Sequence, residues 1–116
     1  MSITVYGIPN CDTVKKARKW LDAQGMDYAF HDYKKQGADA VQLESWIGSA
    51  GLDAVLNKRG TTWRKLSEAE QAQAESMAGA VALLVANPSM IKRPVVEHPG
   101  GLLVGFNADE WAQVLA

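Results

Sequence analysis

Ile3, Thr4, Val5 and Tyr6 alternate apolar and polar positions in a β-prone run ended by Gly7 and Pro9, which predicts a short first strand and a turn. Beyond Cys11 the period changes. Val14, Ala17 and Leu21 recur at helical spacing with Trp20 beside them, while Lys15, Lys16 and Lys19 face away. The spacing predicts an amphipathic helix that stops at Gly25. Met26 to Tyr33 is rich in aromatic residues and reads as a second strand. The opening is therefore strand–loop–helix–strand, with the chain's one cysteine in the first connection.

The middle reads as helical. Val41, Leu43, Trp46 and Ile47 give a helical face that closes at Gly48 and Gly51, and Leu52 to Leu56 is too short to assign. Ser67, followed three residues later by Glu70, has the form of a capping box. The run from Met77 to Ala86 continues helically, with a break near Gly79, until Asn87-Pro88. Two β-type pieces follow, Arg93 to Val96 and Leu102 to Val104, around a Pro99-Gly100-Gly101 turn. Asn107 then caps a last helix carrying Trp111, Val114 and Leu115. The order β-α-β, helices, β-β-α predicts an α/β (α+β) architecture, a small mixed sheet with helices on both faces. No repeat or linker interrupts it, so residues 1–116 form a single domain.

Composition narrows the chemistry. One cysteine among 116 residues excludes an internal disulfide framework and any multi-cysteine metal site, and two separated histidines argue against zinc. Twelve Lys and Arg against thirteen Asp and Glu lack the basic excess of a general nucleic-acid binder. The apolar run Met77 to Ala86 is about half of a membrane span, and the N-terminus has no secretory pattern, so the chain reads as cytoplasmic.

The lone thiol then becomes the main candidate. Cys11 sits at the predicted start of a helix, where unpaired N–H groups and the helix dipole favour an anion and lower a thiol pKa. Lys15, one turn on, adds positive charge and Asp12 opposes it. Arg93 precedes Pro94, which removes a ladder donor and holds Arg93 extended. In Asn57 to Lys65 four cations fall within eight residues, a loop suited to an anionic substrate group because arginine pairs carboxylates and oxyanions bidentately. Trp63 reads as a core or lid contact, and His31 and His98 as structural.

Together, Tyr6-Gly7-Ile8-Pro9-Asn10-Cys11-Asp12-Thr13, the basic loop through Arg59, and Asn87-Pro88 with Ile91-Lys92-Arg93-Pro94-Val95-Val96 resemble the ArsC/Spx family. The run Arg59 to Leu66 is most similar to its YffB-like branch. The resemblance implies a thioredoxin/glutaredoxin-like fold with a helical insertion, about residues 38–90, between the second and third strands. It also implies a cis Arg93-Pro94 bond. Cys11 matches the family's nucleophile, Arg93 the arginine that holds an oxyanion and lowers the thiol pKa, and Arg59 the middle arginine. The third arginine of the arsenate pocket has no counterpart in Gly105-Phe106-Asn107, and the partner cysteine of the Spx switch is Val14 here.

The activity so implied is a glutathione-dependent thiol reductase with a single nucleophilic cysteine. Glutathione is its co-substrate, glutaredoxin a partner, and no metal is needed. Arg93 is catalytic beside Cys11, and Arg59, Lys15, Asn10 and Pro94 contact the substrate, a small disulfide or oxyanion. Two alternatives stay open: arsenate reduction coupled to glutathione and glutaredoxin, and an Spx-like regulator docking on the C-terminal domain of RNA polymerase α.

Overall fold

A computed structural model describes residues 3–115. In chain order the elements are β1 (Thr4–Gly7), α1 (Asp12–Ala23), β2 (Ala29–Asp32), α2 (Tyr33–Gln36), α3 (Ala40–Ala50), α4 (Leu52–Val55), α5 (Thr61–Lys65), α6 (Glu68–Ala72), α7 (Met77–Ala86), β3 (Val95–His98), β4 (Gly101–Val104) and α8 (Ala108–Leu115). Single 3-10 turns cover Gln73–Glu75 and Pro88–Met90. Two compact units result. One runs to Gln36 and resumes at Arg93, and the other is Gly37–Lys92.

The first unit is a four-stranded sheet in the order β2-β1-β3-β4. β1 pairs parallel with β2, which requires the crossover that α1 supplies. β3 runs antiparallel to both β1 and β4. Alternation along the strands places Val5, Val96 and Leu103 on one face, where they form a core with Ala17 and Leu21 of α1 and Trp111 of α8. Trp111 meets Phe106 and Trp20 edge-on, at 4.8 and 5.8 Å between ring centroids, and its indole N–H donates to the Gly105 carbonyl. The mixed α/β sheet expected from the sequence is the one present.

Several boundaries differ, each for a local reason. The second strand is Ala29–Asp32, not Met26 to Tyr33. Asp32 accepts from the Lys34 N–H and Gln36 accepts from the Asp32 N–H, so side-chain bonds draw the chain at Tyr33 into the short helix α2. The third strand begins at Val95, two residues after Arg93.

In the second unit α3 packs on α7. Leu43, Trp46 and Ile47 are buried, but Val41 is 73% exposed, because two residues from Leu43 is about 200° around a helix. Gly48 lies inside α3, and the helix ends at Gly51, whose φ of 91° is a conformation glycine adopts freely. The Ser67–Glu70 capping box is formed. The interruption before α7 falls at Ser76 and not at Gly79. Ser76 is extended and its hydroxyl accepts from the Gly79 N–H. Gly79 is instead a close-approach position: a Cβ there would lie 2.0 Å from the Gln73 carbonyl oxygen. Asn107 caps α8 through the Glu110 N–H, with Trp111 buried and Val114 exposed. Among the described residues no helix is long and apolar enough to cross a membrane.

Candidate active site

The site candidate lies in the first unit, where β1 passes into α1. Gly7 ends the strand close to the first turn of the helix: a Cβ on it would stand 2.8 Å from Val14 Cγ2. The turn closes with the Cys11 N–H donating to the Ile8 carbonyl at 3.1 Å. Cys11 is the N-cap of α1, with extended backbone (φ −80°, ψ 127°), and its carbonyl accepts from the Lys15 N–H at 2.9 Å. The thiol is thus held at the one helix end where backbone donors are unpaired.

Cys11 is free and half-buried. Burial works against its charged form, but that is outweighed by the Val14 N–H, a hydrogen bond from the Arg93 guanidinium, the Thr13 N–H and the charge of Arg93. The net effect lowers the thiol pKa below its ordinary 9.0. The sulfur makes no capping hydrogen bond of standard geometry, so the two amides act on it mainly by facing it. A sulfur so placed is a nucleophile and an anion, and the same donors suit the anionic group of a ligand.

Arg93 reaches this sulfur from the other end of the chain. Tyr6 pairs with Val95 across the β1–β3 ladder, so the residue two before Val95 lies beyond the C-terminal end of β1, beside the turn that carries Cys11. The Arg93-Pro94 peptide is cis. Pro94 is buried, and its carbonyl accepts from the Gly105 N–H at 2.8 Å.

The other expected site residues are not among the groups that shift the thiol. Asn10 is exposed in the turn before α1. Lys15 is exposed on α1, and neither its ammonium nor the Asp12 carboxylate is among the groups that shift the thiol. Arg59 belongs to the second unit. There its N–H donates to Asn57 Oδ1, and with Lys58, Lys92 and Asp53 it lines a depression of about 320 Å³. Trp63 lies under the Lys58 ammonium, 5.4 Å from the ring centroid. Where a third cation would be needed, β4 ends and the chain turns at Gly105, with Phe106 packed on Trp111. Val14 is fully buried.

Sequence reasoning missed the polar cluster on the sheet face opposite α1. Tyr6 donates to Glu97 at 2.6 Å, its ring lies 4.9 Å from His31 and 6.4 Å from Tyr33, and His31 and Tyr33 meet at 5.9 Å. The two-residue spacing of His31 and Tyr33 was visible in the sequence, but Tyr6 and Glu97 join them only through register. Among the described residues no three His, Cys, Asp or Glu side chains gather as metal ligands.

Known proteins are similar to this chain over most of its length. A solved structure called the YFFB protein is 51% identical, with a TM-score of 0.94 over 98% of this chain and 99% of that one. An arsenate reductase (ArsC) related protein from Brucella melitensis is 49% identical, with a TM-score of 0.75 over 100% and 97% of the two chains. The global transcriptional regulator Spx of Streptococcus pyogenes is 27% identical, matching 93% of this chain and 81% of its own. The model of the ArsC family matches residues 6–114, and the chain belongs to the ArsC family.

Proposed function

We propose that the protein is a cytoplasmic glutathione-dependent thiol reductase that works through Cys11 alone. The observation that carries this reading is the thiol at the start of α1 under the Arg93 guanidinium, with a pKa lowered despite partial burial. The Cys11 thiolate attacks the glutathione sulfur of a mixed disulfide. A new Cys11–glutathione S–S bond forms as the old one breaks, and the substrate leaves as a thiolate that takes its proton from water. Glutathione, as thiolate, then attacks the glutathione sulfur of the adduct. It releases glutathione disulfide and restores the Cys11 thiolate. The 116 residues hold no second cysteine, so the resolving thiol is external.

Arg93 stabilises the thiolate before attack, and the helix amides share that task. Pro94 presents backbone beside the site. Mass measurement after incubation with glutathione disulfide tests the reading: one glutathione should add to the wild type and none to Cys11→Ser. Absence of the adduct on the wild type, or its retention in Cys11→Ser, refutes it.

Arsenate reduction is the second reading, supported by the Brucella relative's name and by Arg93 beside the nucleophile. The turn at Gly105-Phe106-Asn107 offers no further cation, and one missing charge-assisted contact lowers affinity roughly ten- to a hundredfold. An arsenate assay coupled to glutathione and glutaredoxin separates the two. The Spx relative supports a regulator that docks on RNA polymerase. That role would survive Cys11→Ser, and a reductase would not.

A further inference from the structure

We infer that the depression lined by Lys58, Arg59 and Lys92 is a docking site for an acidic segment of a partner protein. The three cations come from two distant stretches of the second unit, and a short pairing between those stretches sets the geometry. Leu56 and Ile91, both buried, form an isolated antiparallel bridge. Around it the Asn57 N–H donates to the Met90 carbonyl at 2.8 Å, and the Lys92 N–H to the Val55 carbonyl at 2.7 Å. This pairing sets Lys92 beside the basic loop. The loop is held by bonds of its own. Asn57 Oδ1 accepts from the Arg59 N–H at 3.0 Å, a side-chain turn that fixes how the chain leaves the bridge. The Lys58 ammonium rests over the Trp63 ring, 5.4 Å from its centroid.

Charge then says what the depression takes. Its three cations face one carboxylate, Asp53, and among the described residues none of the four forms an ion pair. All four are exposed. The whole chain carries a net charge of −1, so the gathering is local and not a share of a general basic excess. Like charges in one hollow repel each other and raise the local concentration of anions. A single exposed ion pair contributes little in water, so a lone carboxylate gains too little to stay. A segment that carries several makes each further contact within the complex already formed. Arg59 offers a planar fork suited to a carboxylate, and the lysines act as point charges around it. Nucleic acid fits less well, because the basic excess is missing and Lys58 occupies a face of Trp63, the ring on which a base would stack.

The test titrates a fluorescein-labelled peptide of alternating glutamate and glycine, read by fluorescence anisotropy at about 0.01 M ionic strength, where exposed charges are little screened. Wild type should bind it and ignore the same peptide with glutamine in place of glutamate. Arg59→Gln and Lys92→Gln should each weaken binding about two- to fivefold, the worth of one exposed pair. Lys58→Gln/Arg59→Gln/Lys92→Gln should abolish it. Asp53→Asn should tighten binding about two- to fivefold, because it removes the one carboxylate among the described residues that line the depression. Lys19→Gln/Lys34→Gln/Lys35→Gln makes the same change in net charge on α1 and α2 and should leave the affinity unchanged. All of these positions are exposed, so the substitutions spare the core. No binding by wild type, an equal loss in the two triple variants, or no gain in Asp53→Asn overturns the inference. Tighter binding of a single-stranded oligonucleotide, lost with the same three cations, overturns the choice of partner. The thiol takes no part in this binding, so the result is independent of the reductase reading.

Discussion

Arg93→Ala tests the electrostatics of the site most directly. Of the four influences that favour the Cys11 thiolate, two belong to this side chain, its hydrogen bond and its charge, and the Val14 and Thr13 amides supply the rest. A hydrogen bond to a charged group is worth about 1.5–3 kcal/mol. The sulfur is only half-buried, so water replaces part of what is lost, and the low end applies: the thiol pKa should rise by about one unit. Below the midpoint that shift reduces the thiolate population about tenfold. A more basic sulfur is also intrinsically more nucleophilic, with a Brønsted slope of about 0.4–0.5, so each thiolate attacks about threefold faster. Alkylation by iodoacetamide at a pH below the wild-type midpoint should therefore slow only about threefold, while the midpoint of its pH profile moves up by the full unit. Arg93→Lys keeps the charge without the planar fork and should fall between. A midpoint that stays put or falls in Arg93→Ala would mean that the helix end alone holds the sulfur and that the guanidinium has no part in it.

Because the folded thiol pKa lies below its ordinary 9.0, its contribution to stability is complete above the unfolded value and is lost as pH falls through the folded one. The urea stability of wild type minus that of Cys11→Ser should rise across that interval and then level off, and a flat difference would contradict the shift. Trp111→Ala opens a cavity among Phe106, Trp20 and the sheet and should cost about 3–5 kcal/mol in the same measurement. Gly48→Ala, with nothing within 4 Å of the new Cβ inside α3, should stabilise by about 0.5–1 kcal/mol. Gly79→Ala should destabilise the protein, because its Cβ would meet the Gln73 backbone at 2.0 Å. The two glycines are indistinguishable by propensity, so opposite signs in thermal melts would check the geometry.

The alternation of Ile3 to Tyr6 and the helical spacing of Val14, Ala17 and Leu21 were enough to place a strand, a turn and a helix around Cys11, because those periods are set by local backbone geometry. The thiol's position at a helix start followed from the same local reading, and so did the caps at Ser67 and Asn107. Errors collected where packing or a side-chain bond, not periodicity, decides the outcome. Val41 is as apolar as Leu43, and only the direction in which α3 packs leaves it in water. Gly48 and Gly79 looked like breaks and are helical residues, and the Gln73 carbonyl leaves no room for a Cβ at the second.

What the sequence by itself determined is the β-α-β opening, the mixed sheet and one thiol offered to the backbone donors of a helix. Which charged groups act on that thiol was decided by tertiary structure. Lys15 and Asp12, its neighbours along the chain, are not among the groups that shift it, and Arg93, 82 positions on, hydrogen-bonds to it because β3 pairs antiparallel with β1. The same register brought Glu97 within hydrogen-bond reach of Tyr6. Side chains a few residues apart on a helix diverge by rotation, whereas strands 4.8 Å apart, roughly, bring distant residues to one row whatever their separation.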